Sequence, residues 1–151
     1  MGSDAQLSCS SSGWALLSTL SDDEALALVA KQGLGLPEHF GPAAPTSLQA
    51  VMEAVAQTRE RGYSLTTETY SAGLSALSAP VRFSGQPAFG VLTIAGPTVR
   101  FSAEKMQALA PELMGIAQQL AASSGASPFF SLTAETGKPV SADGRKPIYA
   151  E

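Results

Sequence analysis

The sequence predicts an α/β (α+β) domain in which a mainly antiparallel sheet is flanked by helices. Three observations predict it. Apolar residues recur with helical spacing as far as Gly62. After Gly62 the period becomes that of strands, with two apolar runs joined by a short polar connection. A long helical pattern then follows, from about Ser102 to Ala122. With 151 residues, 44% of them hydrophobic, the chain is long enough to bury one core.

Each element has a local reason. The run "SCSSS" (8–12) leads into "GWALLSTL", a serine cap followed by helix formers. Ser21 and Glu24 stand at capping-box spacing, and Ala25, Leu28 and Val29 share one face of the second helix. "GLGLPEHFGPAAP" (33–45) collects Gly and Pro and reads as a surface loop. A third helix begins near Thr46, with a capping box to Gln49. It places Leu48, Val51, Met52 and Val55 on one face and ends at Gly62. "YSLTTE" reads as a short strand. Residues 73–83 and 87–96 flank "SGQ" as a hairpin. The second of these strands is apolar on both faces, as expected of a central strand covered on each side. Gly96-Pro97 stops it. In the last helix Met106, Leu109, Leu113, Ile116 and Leu120 form the expected buried stripe, with Pro111 kinking or dividing it.

Composition excludes several function classes. No apolar run approaches the roughly 20 residues of a membrane span. The opening "MGSDAQLSCSSSG" has neither the positive charge nor the apolar block of a signal peptide. Cys9 is the single cysteine, so no internal disulfide is expected, and a cytoplasmic location is. A net charge of −4, with nine scattered Lys and Arg, argues against non-specific nucleic-acid binding by this chain.

No catalytic constellation is expected. His39 is the sole histidine, sits in the Pro/Gly-rich loop, and cannot make a metal cluster by itself. Cys9 has no basic neighbour to lower its pKa and reads as a buried or pocket-wall thiol. Asp22, Asp23 and Glu24 occupy a first helical turn, where carboxylates favour the positive dipole end. "GLG" (33–35) lacks the third glycine and the preceding strand of a dinucleotide loop. Neither a cofactor nor a metal is expected.

A binding site is better supported. Ser10, Ser11, Ser12 and the amides of Gly13 and Trp14 lie at a helix start, where N–H groups and the dipole suit an anion. Plain N-capping by one serine explains the same residues. Thr93 and Ala95 share a strand face and leave room either for a ligand or for a close-packed helix. The residues alone leave both alternatives open.

The stretch 59–113 carries a family resemblance in Arg61-Gly62-Tyr63, Glu68, Gly73-Leu74, Ala79-Pro80-Val81 and Ile94-x-Gly96-Pro97. It resembles the effector-binding domain of the IclR family of bacterial transcription regulators, which implies a GAF/profilin-like fold. The resemblance covers residues 1–123. Residues 124–151 resemble the start of the same domain, through Pro128-Phe129, Leu132, Glu135-Thr136-Gly137, Pro139-Val140-Ser141, Asp143-Gly144 and Tyr149. The domain therefore reads as circularly permuted, which termini lying close together tolerate.

The resemblance implies a sensor that binds a small organic acid effector, has no catalytic role, and assembles as a homodimer or homotetramer. DNA would be reached only through a winged helix-turn-helix that this chain lacks. The family's effector-contact positions fall on Ser11, Ser12, Thr66, Ala76, Thr93 and Ala95, beside Gly13 at the helix start. Thr66 and Ala76 depart from members with Asp and Cys, and Ala95 from members with Ser. Trp14 stands where Lys is frequent, which predicts a narrowed pocket or a cover for an aromatic ring. The implied effector is a small organic or aromatic acid with some apolar body, held without an ion pair. The alternative, motivated by these departures, is an oligomerisation module with a vestigial pocket.

Overall fold

The computed structural model describes residues 6–125. Its elements are α1 (Ser11–Leu17), α2 (Asp22–Gln32), α3 (Leu48–Arg61), β1 (Ser64–Thr67), β2 (Leu74–Val81), β3 (Gly90–Pro97) and α4 (Ala103–Gly125). The expected antiparallel sheet flanked by helices is what the described residues form, with strand order β1-β2-β3.

Three serines start the first three helices. Ser10 accepts from Gly13 N–H, Ser21 from Glu24 N–H, and Ser47 from Ala50 N–H, each satisfying a first-turn donor that has no intrahelical acceptor. The third cap is Ser47, one residue beyond the expected Thr46, and Gln49 bonds Glu53 instead of closing a box. Gly62 ends α3 with φ 87°, a left-handed conformation that glycine adopts without a Cβ clash. Of the faces expected to be buried on α2 and α3, Ala25, Val29, Val51 and Val55 are, whereas Leu28 and Leu48 are exposed.

Register divides the sheet into two unlike faces. Ser64 pairs with Ser78 and Thr66 with Ala76; on the far side of β2, Ala76 pairs with Ala95 and Ser78 with Thr93. Directly opposite residues share a face, so these six small or hydroxyl-bearing side chains lie together. The other face presents Leu77, Ala79 and Val81, which pack with Phe101 and α4 into one core cluster. A second cluster joins α1, α2 and α3 through Leu17, Ala25, Val29, Val51 and Val55.

Four expectations are corrected. The strand buried on both faces is β2, while β3 is the edge strand among the described residues and exposes Thr93, Ile94 and Ala95. An apolar run marks a strand without saying which neighbour covers it. The connection between β2 and β3 spans 82–89, longer than "SGQ". On α4 the buried stripe is Met106, Ala110, Leu113, Ala117, Ala121 and Ser124; Leu109, Ile116 and Leu120 lie on an exposed flank. Met106 and Leu113 fill the core against the sheet, and the alanines between and beyond them let the helix lie close to it. The helix also runs unbroken through Pro111. The expectations for 126–151, the hairpin-like Asp143-Gly144 segment included, lie outside the described residues.

Candidate functional site

The site lies between α1 and the hydroxyl-bearing face of the sheet. A cavity of about 230 Å³ is lined there by Ser10, Ser11, Ser12, Thr66, Tyr70, Leu74, Ala76, Thr93 and Ala95. β1 brings Thr66, β2 brings Leu74 and Ala76, and β3 brings Thr93 and Ala95, while the start of α1 closes the other side. The fold thus places six of the seven expected residues around one space, from stretches as far apart as Ser11 and Ala95.

Gly13 is the exception. Its N–H donates to Ser10 Oγ at 3.0 Å and it does not line the cavity. The Trp14 amide is likewise committed, donating to Ser10 O at 3.1 Å. Neither amide is therefore available to an anion, because the helix has used both for its own cap. The Trp14 indole also turns away from its expected place. It is buried, donates from Nε1 to Ser8 O at 3.0 Å, and neither narrows nor covers the cavity. Sequence reasoning missed Tyr70 and Leu74 as cavity residues, although Leu74 belongs to the family-like Gly73-Leu74 and Tyr70 lies three residues before it. The signal that could have found Leu74 is its strand period with Ala76.

Hydroxyl geometry decides what the wall offers. Ser64 Oγ lies 2.6 Å from the Ser11 carbonyl and 2.7 Å from the Ser11 hydroxyl. A hydroxyl has one proton and a carbonyl can only accept, so Ser64 donates to the carbonyl and Ser11 Oγ donates to Ser64. What Ser11 keeps for the cavity is its backbone N–H, which with that of Ser12 belongs to the first turn of α1. Ser78 and Thr93 share a hydrogen bond of 2.8 Å, in which either hydroxyl can donate. Thr66 Oγ1 reaches Ala76 O only at 3.4 Å, which leaves most of its hydrogen-bonding capacity unused.

No lining residue carries a charge. A polar guest would be held by neutral donors, and an apolar body would rest on Leu74, Ala76, Ala95 and the Tyr70 ring. Cys9 lies behind this wall, fully buried, and desolvation pushes its thiol up to about 11 despite an opposing hydrogen bond with Ser8. A protonated, inaccessible thiol is a poor nucleophile. His39 is exposed on its loop, away from the cavity lining. Among the described residues no cluster of His, Cys, Asp and Glu could hold a metal ion, and no helix is long and apolar enough to cross a membrane.

Residues 1–122 match the family model described as bacterial transcriptional regulator IclR, C-terminal. The acetate operon repressor of Salmonella typhimurium is 28% identical over 120 residues, which make up 80% of this chain and 43% of the repressor. The transcriptional repressor IclR of Escherichia coli K12 is 30% identical over 106 residues, 70% of this chain and 38% of its own length. The chain thus spans about two fifths of these relatives. Among solved structures, the inducer-binding domain of the PobR transcription factor from Acinetobacter, a double mutant in complex with 3-hydroxybenzoic acid, superposes with a TM-score of 0.67. It is 26% identical, and the match covers 76% of this chain and 65% of that domain.

Proposed function

The chain belongs to the IclR family of bacterial transcriptional regulators, as a C-terminal domain of that family, and on that premise we propose that it senses a small organic acid bearing an aromatic ring. The observation that carries this reading is the uncharged, hydroxyl-rimmed cavity. Its volume of about 230 Å³ lies below the roughly 300–1,000 Å³ of drug-sized sites, so the guest is small. The carboxylate is received at the start of α1 by the Ser11 and Ser12 N–H groups and by neutral hydroxyls of the wall. The ring rests on Leu74, Ala76 and Ala95. Such a site needs no ion pair, because hydrogen bonds to an ionised acceptor are about twice as strong as neutral ones. The 3-hydroxybenzoic acid bound by the PobR inducer-binding domain is a guest of this kind.

In this reading the domain performs no catalysis. It transmits occupancy by binding its guest with different affinity in two arrangements of subunits. Oligomerisation is supported by a separate observation: Leu109, Ile116 and Leu120 lie 37%, 47% and 44% exposed along one flank of α4. Operator contact belongs to a winged helix-turn-helix unit outside the described residues. The protein works in the cytoplasm, as expected of a regulator of transcription.

The test is a thermal-shift screen against small carboxylic and aromatic acids. A guest at 100 times its dissociation constant adds about 2.7 kcal/mol, a shift of a few degrees for a domain of this size. Ala95→Leu fills the cavity from an exposed strand position and should abolish the shift. If the protein melts cooperatively but responds to none of the acids, the domain is an oligomerisation module with a vestigial pocket.

A further inference from the structure

One wall of the cavity is carried by a strap built from two loops. Residues 68–73 connect β1 to β2, and the 33–47 loop crosses over them. Gly41 N–H donates to Thr69 O at 3.1 Å, and Ala43 N–H to Glu68 O at 3.0 Å. The Thr69 hydroxyl donates to Cys9 O at 2.6 Å, tying the strap to the segment that leads into α1. The two loops meet backbone to backbone: a Cβ on Gly41 would overlap the Glu68 carbonyl. Glu68 holds φ 56°, a left-handed conformation uncommon for a residue with a side chain, and its Oε1 accepts Gly73 N–H at 2.8 Å.

This construction delivers Tyr70 to the cavity. The Tyr70 ring packs on Phe40 with centroids 5.6 Å apart and planes tilted by 56°, within the range of favourable aromatic pairs. Phe40 comes from the crossing loop, whose N–H groups of His39 and Phe40 both donate to Leu36 O at 3.0 Å. Tyr70 is the single aromatic residue of the lining; the others are hydroxyl-bearing or small and aliphatic.

We infer that Tyr70 is the specificity-determining residue of the cavity, selecting a planar aromatic acid over an aliphatic acid of equal charge, with Phe40 as its positioning residue. The inference deepens the function proposed above and rests on it. A flat guest gains a ring–ring contact beyond the area it buries, whereas an aliphatic chain gains the area alone. Because Phe40 already holds the Tyr70 ring, less side-chain freedom remains to be lost on binding.

The experiment is calorimetric titration of the chain with 3-hydroxybenzoate and with hexanoate. It uses the wild type, Tyr70→Ala, Tyr70→Phe and Phe40→Ala. Tyr70 is 40% exposed, so its truncation leaves the core intact. Tyr70→Ala should weaken 3-hydroxybenzoate by about three- to tenfold and hexanoate by less than about twofold, following the worth of one aromatic pair. Tyr70→Phe should keep the preference, and Phe40→Ala should lose part of it. Equal weakening of both acids by Tyr70→Ala, or no weakening of the aromatic one, overturns the inference while the proposed function stands. A cooperatively folded wild type that binds neither acid overturns both.

Discussion

The two faces of the sheet come from the same strands and do opposite work. One carries Leu77, Ala79 and Val81, sealed by α4 and Phe101. The other carries Ser64, Thr66, Ala76, Ser78, Thr93 and Ala95, and faces the seven-residue α1 across the cavity that Tyr70 also lines. Apolar side chains gain stability in proportion to the area they withdraw from water, so the first face is closed. On the second, hydroxyls satisfy one another in pairs: Ser11 with Ser64, and Ser78 with Thr93. Among the described residues no buried side-chain polar atom lacks a partner. Internal pairing makes an open cavity inexpensive to hold, because its buried side-chain hydroxyls already have partners without a guest. Stability and binding are thereby separated across a single strand, β2.

That separation can be broken or sharpened by substitution. Leu77→Ala, on the sealed face, should cost about 2–5 kcal/mol in urea unfolding, with the ligand affinity of the folded protein unchanged. An affinity loss beyond about threefold would mean that the two faces are coupled. Ser64→Ala leaves both groups of Ser11 without their partner and should cost about 1–3 kcal/mol. A cost below about 0.5 kcal/mol would mean that water replaces the hydroxyl.

Cys9 probes the back of the cavity wall through pH. Its thiol is raised from 9.0 to about 11, mainly by desolvation, so between these values the folded state holds a proton that the unfolded state has lost. The contribution of this group should be fully present below pH 9 and disappear as pH rises toward 11. Cys9→Ala should flatten that part of the profile. Persistence of the same slope in the variant would assign it to other groups. The smallest effect on stability belongs to Ala95→Leu, within about 0.5 kcal/mol as for other exposed positions, although the same change should remove binding altogether.

Particular residues show how far the sequence carries. Ser21 and Gly62 bound their helices as expected, because a cap depends on local backbone geometry that a short motif specifies. On α4, Met106 and Leu113 are buried as expected, but three residues of the expected stripe are not, for the converse reason. Leu109, Ile116 and Leu120 satisfy helical spacing as well as Ala110, Ala117 and Ala121 do, and periodicity cannot tell which stripe lies nearer the sheet. Ser11, Ser12, Thr93 and Ala95 were candidates from the residues themselves, whereas Thr66 and Ala76 were legible only through the resemblance. Gly13 and Trp14 were misjudged because a helix start reads identically whether its amides face a guest or its own cap.

By itself, then, the sequence determined the element types and the caps at Ser10, Ser21 and Gly62. All of these are set within a few residues along the chain. Tertiary structure alone decided that β2 and not β3 is central, that Ser64 occupies the Ser11 hydroxyl, and that Phe40 of the 33–47 loop packs on the cavity-lining Tyr70. Each of these depends on contacts between residues about 15 to 60 positions apart, which local propensity does not encode and only packing selects.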